Sequence, residues 1–309
     1  MKKNWPYFAV IALMIACSGL TAPTMTSTPE RATSTPSMTA TNTPLVSTPT
    51  MTATLAPLPT ATPVTEYRPF SPVIARMAPG PFVLLGGTEN GGWLYPETVI
   101  PHLLDETYQI YGINGPTGSA KGKKPFRDQI CQTYWVETDS YPFGGSAVGV
   151  TGDWNVTPRL AEEFPTDTPV YVDALRNWLI DKGFPEPVAE ISQILRVDLE
   201  GDGTDEVLIN ASHFVEPTGH DVEFGDYSLV LMRKVVGDSV MTIPIIADYY
   251  YEVAMQFPLT YAMTLPADLN NDGVLEVLVG VERWEGLGII AFEIDGTTVH
   301  PIFEALCGV

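Results

Sequence analysis

Two nine-residue stretches carry the side chains best placed to do chemistry: Asp198-Leu-Glu-Gly-Asp-Gly-Thr-Asp-Glu206 and Asp268-Leu-Asn-Asn-Asp-Gly-Val-Leu-Glu276. Asp, Leu, Asp, Gly and Glu coincide between them, and Val207-Leu208-Ile209 continues the match as Val277-Leu278-Val279. Oxygen side chains at positions 1, 3 and 5 surround a tight glycine turn at position 6. With a backbone carbonyl at position 7 and a carboxylate at position 9, such a loop can offer six or seven oxygens to a hard cation of the calcium type. Crowded carboxylates repel one another until a cation neutralises them, so the chemistry implied is cation binding.

An EF-hand needs Glu at position 12 and flanking helices. Ile209 and Val279 occupy that position, and the flanks Ile191–Val197 and Val207–Ala211 are apolar and β-branched. Those runs suit short strands. The stretches instead resemble the calcium loop of FG-GAP and VCBS-type (integrin-like) repeats, which joins neighbouring strands of a β-propeller blade. That resemblance implies two structural Ca2+ sites. One would use Asp198, Glu200, Asp202, the carbonyl of Thr204 and Glu206; the other Asp268, Asn270, Asp272, the carbonyl of Val274 and Glu276. Two departures loosen the match: Glu200 is longer than the usual Asp or Asn, and position 9 carries Glu where Asp is commoner.

The elements that must hold these loops read as strands. After the first loop come Tyr227–Val236, a Gly237-Asp238 turn and Ser239–Ala247; after the second come Leu287–Ile294, an Asp295-Gly296 turn and Thr297–Phe303. Asp and Gly between β-rich runs mark a hairpin. Each unit therefore reads as four antiparallel strands, the content of one propeller blade. Further forward, Phe82–Leu85, Tyr108–Tyr111 and Cys131–Glu137 read as strands. Thr168–Gly183 reads as a helix, with Pro169 near its start, Gly183 at its end, and Val172, Leu175, Trp178 and Leu179 on one face. The expected fold is mainly β, made of blade-like units in an incomplete or small propeller-like arrangement, plus one helix near 168–183. A mixed α+β front half is the alternative.

The N-terminus points to export. Lys2 and Lys3 precede the apolar run Tyr7–Ala16, which is too short to span a bilayer but suits a signal-peptide core. Leu13-Met14-Ile15-Ala16-Cys17 resembles the bacterial lipoprotein cleavage box, which implies lipidation of Cys17 and anchorage of the chain to a membrane. Residues 18–65 contain 16 Thr, 5 Ser and 8 Pro with no aromatic residue. That composition cannot bury enough apolar surface to order itself. The expected organisation is thus a signal peptide over 1–16, a lipid-anchored stalk over 17–65, a front half over 66–186 and two calcium-loop repeats over 187–309. Removal of Cys17 from the count leaves Cys131 and Cys307, an even pair that suggests a disulfide in an exported domain.

A net charge of −21, with 16 Lys+Arg against 37 Asp+Glu, argues against nucleic acid as a partner. No catalytic motif is complete. Ser146 lacks the glycine two places on that a nucleophile elbow needs, because Val148 stands there. Gly112–Lys124 lacks both the first glycine and the Ser/Thr of a phosphate loop. His213 and His220 lie among acids but follow no familiar ligand spacing. The functional expectation is a lipid-anchored, extracytoplasmic calcium-binding module that holds a protein or glycan. The alternative is an extracytoplasmic hydrolase, with glycans as one candidate substrate class and its cleft in the front half.

Overall fold

In a computed structural model of the chain, the described residues are 70–308 apart from 78–79, 141–143, 217–220 and 254. The expected signal peptide, Cys17, the stalk and His220 lie outside them. Nine elements come first: β1 (Ser71–Arg76), β2 (Phe82–Glu89), β3 (Gly92–Leu94), the one-turn helix α1 (Pro96–Val99), β4 (Glu106–Gly112), β5 (Gly115–Gly122), β6 (Phe126–Arg127), β7 (Tyr134–Val136) and β8 (Ala147–Val150). Their strands form one antiparallel sheet in the order β5-β4-β8-β1-β2-β7-β6, with β3 on β2. Next come β9 (Glu162–Phe164), the helix α2 (Pro169–Asp181), β10 (Ile191–Val197), β11 (Glu206–His213), β12 (Tyr227–Val236) and β13 (Ser239–Tyr249). These five strands run β13-β12-β11-β10-β9. The last sheet takes β14 (Thr260–Ala267), β15 (Glu276–Arg283), β16 (Gly286–Asp295) and β17 (Thr298–Gly308) in chain order. The fold is mainly β, and the sheets do not close into a barrel.

The three sheets stack face to face, with the last sheet in the middle. Val277, Val279, Val281, Ile290, Phe292 and Ile294 pack with Leu195, Val197, Val230 and Met232 of the five-stranded sheet. The alternate residues Leu278, Ile289 and Ala291 pack instead with Val73, Val83, Leu85 and Val148 of the front sheet. Side chains alternate across a strand, so a sheet covered on both faces needs apolar residues at every position. This is why Glu276–Val281 is buried without a break. The outer face of the five-stranded sheet is closed by Leu175 and Leu179 of α2 and by Phe184 just after it. The outer face of the front sheet is closed by Val99 and Leu103.

Helix α2 stops where the sequence says it should. Gly183 takes φ 99°, a value open to a residue without Cβ. The N–H of Phe184 then donates to Leu179 O at 3.1 Å and that of Gly183 to Ile180 O at 2.9 Å, the pattern of a Schellman cap. Two expected boundaries move. The strand foreseen over Cys131–Glu137 begins only at Tyr134, because Asp128 Oδ1 accepts the N–H groups of Ile130 and Cys131 at 2.8 and 2.7 Å and Gln132 sits at φ 62°. That short-range side-chain turn displaces a strand ladder. The second hairpin turn is Gly296-Thr297 and not Asp295-Gly296, since Asp295 pairs with Thr298 and Gly296 takes the positive φ of 60°. The first, Gly237-Asp238, falls where it was read, between paired Val236 and Ser239.

Tyr227 supplies a pH prediction. It is fully buried, donates its hydroxyl to Val188 O at 2.8 Å and accepts from the Glu190 N–H at 3.0 Å. Burial pushes its pKa up to about 12. Burial and the Asp248 carboxylate beside it raise Tyr261 as well. A group raised in the fold favours folding while it is neutral, so this stability is whole below the unfolded value near 10 and drains away as pH rises through about 12. Alkaline melts followed at 295 nm should show these phenols ionising only as the protein unfolds; titration at pH 10 in the folded protein would contradict this.

Candidate metal centre

The two acidic loops occupy equivalent places. The first joins β10 to β11 and the second β14 to β15, and each adjacent strand pair is antiparallel up to the loop: Val197 pairs with Glu206, and Ala267 with Glu276. Inside each loop the hydrogen bonds repeat. Position 1 receives the N–H of positions 4 and 6: Gly201 and Gly203 donate to Asp198 at 2.7 and 2.9 Å, and Asn271 and Gly273 to Asp268 at 2.6 and 3.2 Å. Position 5 receives the N–H of position 7, from Thr204 to Asp202 at 2.7 Å and from Val274 to Asp272 at 2.8 Å. Positions 4 and 6 take positive φ in both loops: Gly201 and Gly203 at 74° and 86°, Asn271 and Gly273 at 62° and 89°. Glycine and asparagine are the residues that adopt this region readily.

Among the acidic and amide side chains of each loop, position 9 is the least exposed. Glu206 and Glu276 each accept the N–H of position 2 through Oε2, from Leu199 at 3.0 Å and Leu269 at 2.8 Å. Their second oxygens differ. Glu206 Oε1 faces the Lys234 ammonium at 3.7 Å, and the same ammonium pairs with Glu200. Glu276 Oε1 is buried with no hydrogen-bond partner. Glu276 belongs to a trio with Asp272 and Glu293, one carboxylate oxygen of each lying within 4.8 Å of the others. Asp272, Glu276 and Glu293 therefore have the donor set and spacing to hold a hard cation, with Asp268 and Asn270 in the same loop.

Burial separates the electrostatics of the two loops. Glu276 is completely buried, and burial followed by the Asp272 and Asp268 charges drives its pKa up to about 9, against the Leu269 N–H. Burial likewise raises Asp268 despite the loop N–H groups. In the first loop burial raises Glu206, with the Leu199 N–H and Lys234 opposing it. Asp198 is lowered: burial acts upward, but three backbone N–H groups and Arg159 outweigh it. The second loop thus concentrates carboxyl groups: Glu276 holds its proton at neutral pH, and among the described residues no Lys or Arg pairs with the loop's acids.

Segments remote in sequence knit the two loops together. The N–H of Leu275 donates to Leu199 O at 2.8 Å, a direct bond from one loop to the other. Arg159, between β8 and β9, donates to the carbonyls of Asp198 at 2.5 Å, Leu199 at 3.1 Å and Gly273 at 2.6 Å. Trp154 donates to Asp268 O at 2.9 Å, and Asp268 N–H to Val156 O at 2.7 Å. From the other side the Asn90-Gly91 turn joining β2 to β3 brings Gly91 O to Asn270 Nδ2 at 3.1 Å. Trp93 on β3 donates its indole N–H to Glu293 at 3.2 Å. Both turn residues have positive φ, 52° and 77°, as a type I′ hairpin demands. Replacing Arg159 with Ala removes charge-assisted bonds to both loops. We expect a loss of about 1–2 kcal/mol, read as a melt lowered by a few degrees; an unchanged melt would mean Arg159 does not hold the loops together.

Sequence reading missed Arg159, Lys234 and Glu293. The last two had a signal: each stands three residues before its hairpin glycine, Gly237 or Gly296. The repeat hid this because β11 and β12 are joined by residues 214–226 whereas β15 and β16 are joined by Trp284 and Glu285 alone. An offset that aligns the loops therefore misaligns the strands beyond them. His213 stands beside Glu190, with Nδ1 3.3 Å from its carboxylate, and joins neither loop.

Elsewhere, Cys131 and Cys307 form a disulfide between residues 176 apart, tying β17 to the segment before β7. A cleft of about 400 Å³ beside it is lined by Tyr95, Glu97, Tyr134, Phe303 and Glu304 among others, and by no serine or histidine. Trp93, Trp135 and Trp154 pack against the core between the front and middle sheets. Trp284 is exposed and stacks on exposed Phe257, ring centroids 6.1 Å apart and 15° from parallel. Among the described residues no helix is long and apolar enough to cross a membrane. No protein-family model matches the chain, and comparison with curated proteins and with solved structures finds no match.

Proposed function

We propose that this protein is a lipid-anchored, extracytoplasmic β-repeat module of the FG-GAP/VCBS type that binds calcium and holds a protein or glycan outside the cell. The observation that carries the calcium reading is the buried Glu276, with Oε1 left without a hydrogen-bond partner, clustered with Asp272 and Glu293. A buried carboxyl group without a counter-charge holds a proton instead, as Glu276 does at neutral pH, and a divalent cation that displaces the proton supplies the missing charge. The ion is structural in this reading: it neutralises the loop and stiffens the junction where three sheets meet. The Cys131–Cys307 disulfide supports an oxidising compartment. Lipidation of Cys17, followed by the stalk, would hold the module away from the membrane. The exposed Trp284–Phe257 stack supplies an aromatic surface for the partner.

Calcium titration of the full chain by calorimetry tests this reading. Binding that Asp272→Ala abolishes supports it, and heat indistinguishable from buffer dilution removes it. Anchorage is tested separately: a clickable palmitate analogue should label the chain in cells and fail to label Cys17→Ser. Trp284→Ala should weaken binding to cell-surface material or arrayed glycans by about tenfold or more while leaving the melt unchanged. Undiminished binding would place the partner elsewhere.

A further inference from the structure

The two loops share a backbone but differ in what faces their deepest carboxylate. In the first unit β11 pairs with β12 so that Val207 lies opposite Arg233; one step further, Glu206 meets Lys234. In the second, β15 pairs with β16 so that Val277 lies opposite Phe292; one step further, Glu276 meets Glu293. Lys234 and Glu293 are thus the same structural position, filled once by a cation and once by an anion. The Lys234 side chain is 9% exposed and ion-paired to Glu200 while facing Glu206. Its ammonium lies among the carboxylates that the repeat pattern would assign to calcium. At the other loop, Glu293 adds a carboxylate that the nine-residue stretch does not contain, held in place by the Trp93 indole.

We propose that only the second loop takes a divalent cation, with Glu293 as an additional ligand, and that in the first loop Lys234 is a built-in cation replacing the metal. The inference rests on the calcium reading above and sharpens it from two equivalent sites to one. A metal entering the first loop would have to displace an ammonium already paired there, since two cations cannot share the same carboxylates without repulsion. Among the described residues the second loop has no such competitor, and its Glu276 oxygen is left without a hydrogen-bond partner. The first loop would then keep its conformation without metal and serve, through Leu199 O and Arg159, as a fixed wall for the second.

The test is stoichiometry on the full chain in detergent, with Ca2+ followed by calorimetry and Tb3+ by luminescence sensitised through Trp93 and Trp154. We expect one tight equivalent in the parent protein, kept in Asp202→Ala and lost in Asp272→Ala. Glu293→Gln should weaken binding by roughly 10- to 100-fold. Lys234→Met should add a second equivalent, lost again when Asp202→Ala is combined with it. Should Lys234→Met fail to fold, the contrast between Asp202→Ala and Asp272→Ala still decides the matter. Two equivalents in the parent protein, or one that Asp202→Ala removes, overturns the inference but leaves the calcium reading standing. Unaltered affinity in Glu293→Gln overturns the ligand role of that residue. No binding of either ion overturns the inference together with the calcium reading.

Discussion

Stripping calcium from the full chain with EDTA should lower its melting temperature by about 5–10 °C, and millimolar calcium should restore it. A ligand at 100 times its dissociation constant stabilises by about 2.7 kcal/mol, and in a domain of this size each kcal/mol moves the melt by roughly 2–4 °C. The effect should be this large because the second loop lies at the junction of all three sheets. Its Asp268 is bonded to Val156, its Leu275 to Leu199 and its Asn270 to Gly91. Without a cation Glu276 keeps its proton at neutral pH and leaves an oxygen unpartnered in the core, and with the burial of Asp268 this cost falls on contacts from every layer. Asp272→Ala should melt at the same temperature with and without calcium, whereas Asp202→Ala should keep most of the calcium shift. Magnesium demands a tighter octahedron and dehydrates reluctantly, so it should shift the melt less at equal concentration. An unchanged melt in EDTA, from protein freed of metal beforehand, would remove calcium from the account of stability.

Reducing the Cys131–Cys307 bond should have the second large effect. A cross-link closing 176 residues restricts the unfolded chain, worth roughly 5 kcal/mol in the chain-entropy model. Losing it should lower the melt by about 10–20 °C. Little of this should come from broken native contacts. β17 stays paired to β16 from Asp295–Thr298 to Gly286–Gly308, and Phe303 and Ala305 stay in the core. Cys131→Ser/Cys307→Ser should accordingly retain its far-ultraviolet spectrum and calcium stoichiometry while melting lower. If the reduced protein melted where the oxidised one does, the cross-link would serve the local shape of the neighbouring cleft instead of global stability.

The division between what could and could not be read beforehand follows the reach of the interactions. The loop conformations were legible because their causes lie within nine residues: aspartates at positions 1 and 5 accept nearby N–H groups, and glycine or asparagine takes the positive φ at positions 4 and 6. Hairpins at Gly237 and Gly296 and the ends of α2 are local in the same sense, as is the order of the four strands read in each unit; β9, which adds a fifth strand to the first from the expected front half, was not. The cysteine pairing was legible by counting, once Cys17 was set aside.

What lay beyond the sequence is everything that depends on which strand lies opposite which, and on which sheet covers which. The continuous apolar run of β15 announced burial on both faces but not its neighbours: the front sheet on one side and the five-stranded sheet on the other. Cross-strand pairing set Lys234 against Glu206 and Glu293 against Glu276, across connections of such different length that the linear repeat could not align them. Arg159 reaches both loops only because the segment after β8 crosses the end of the sheet stack. The sequence by itself determined two acidic loops of matching conformation. Tertiary structure decided that one of them contains a lysine ammonium and the other a buried carboxylate without a partner, because charge in a protein interior is balanced through space and not along the chain.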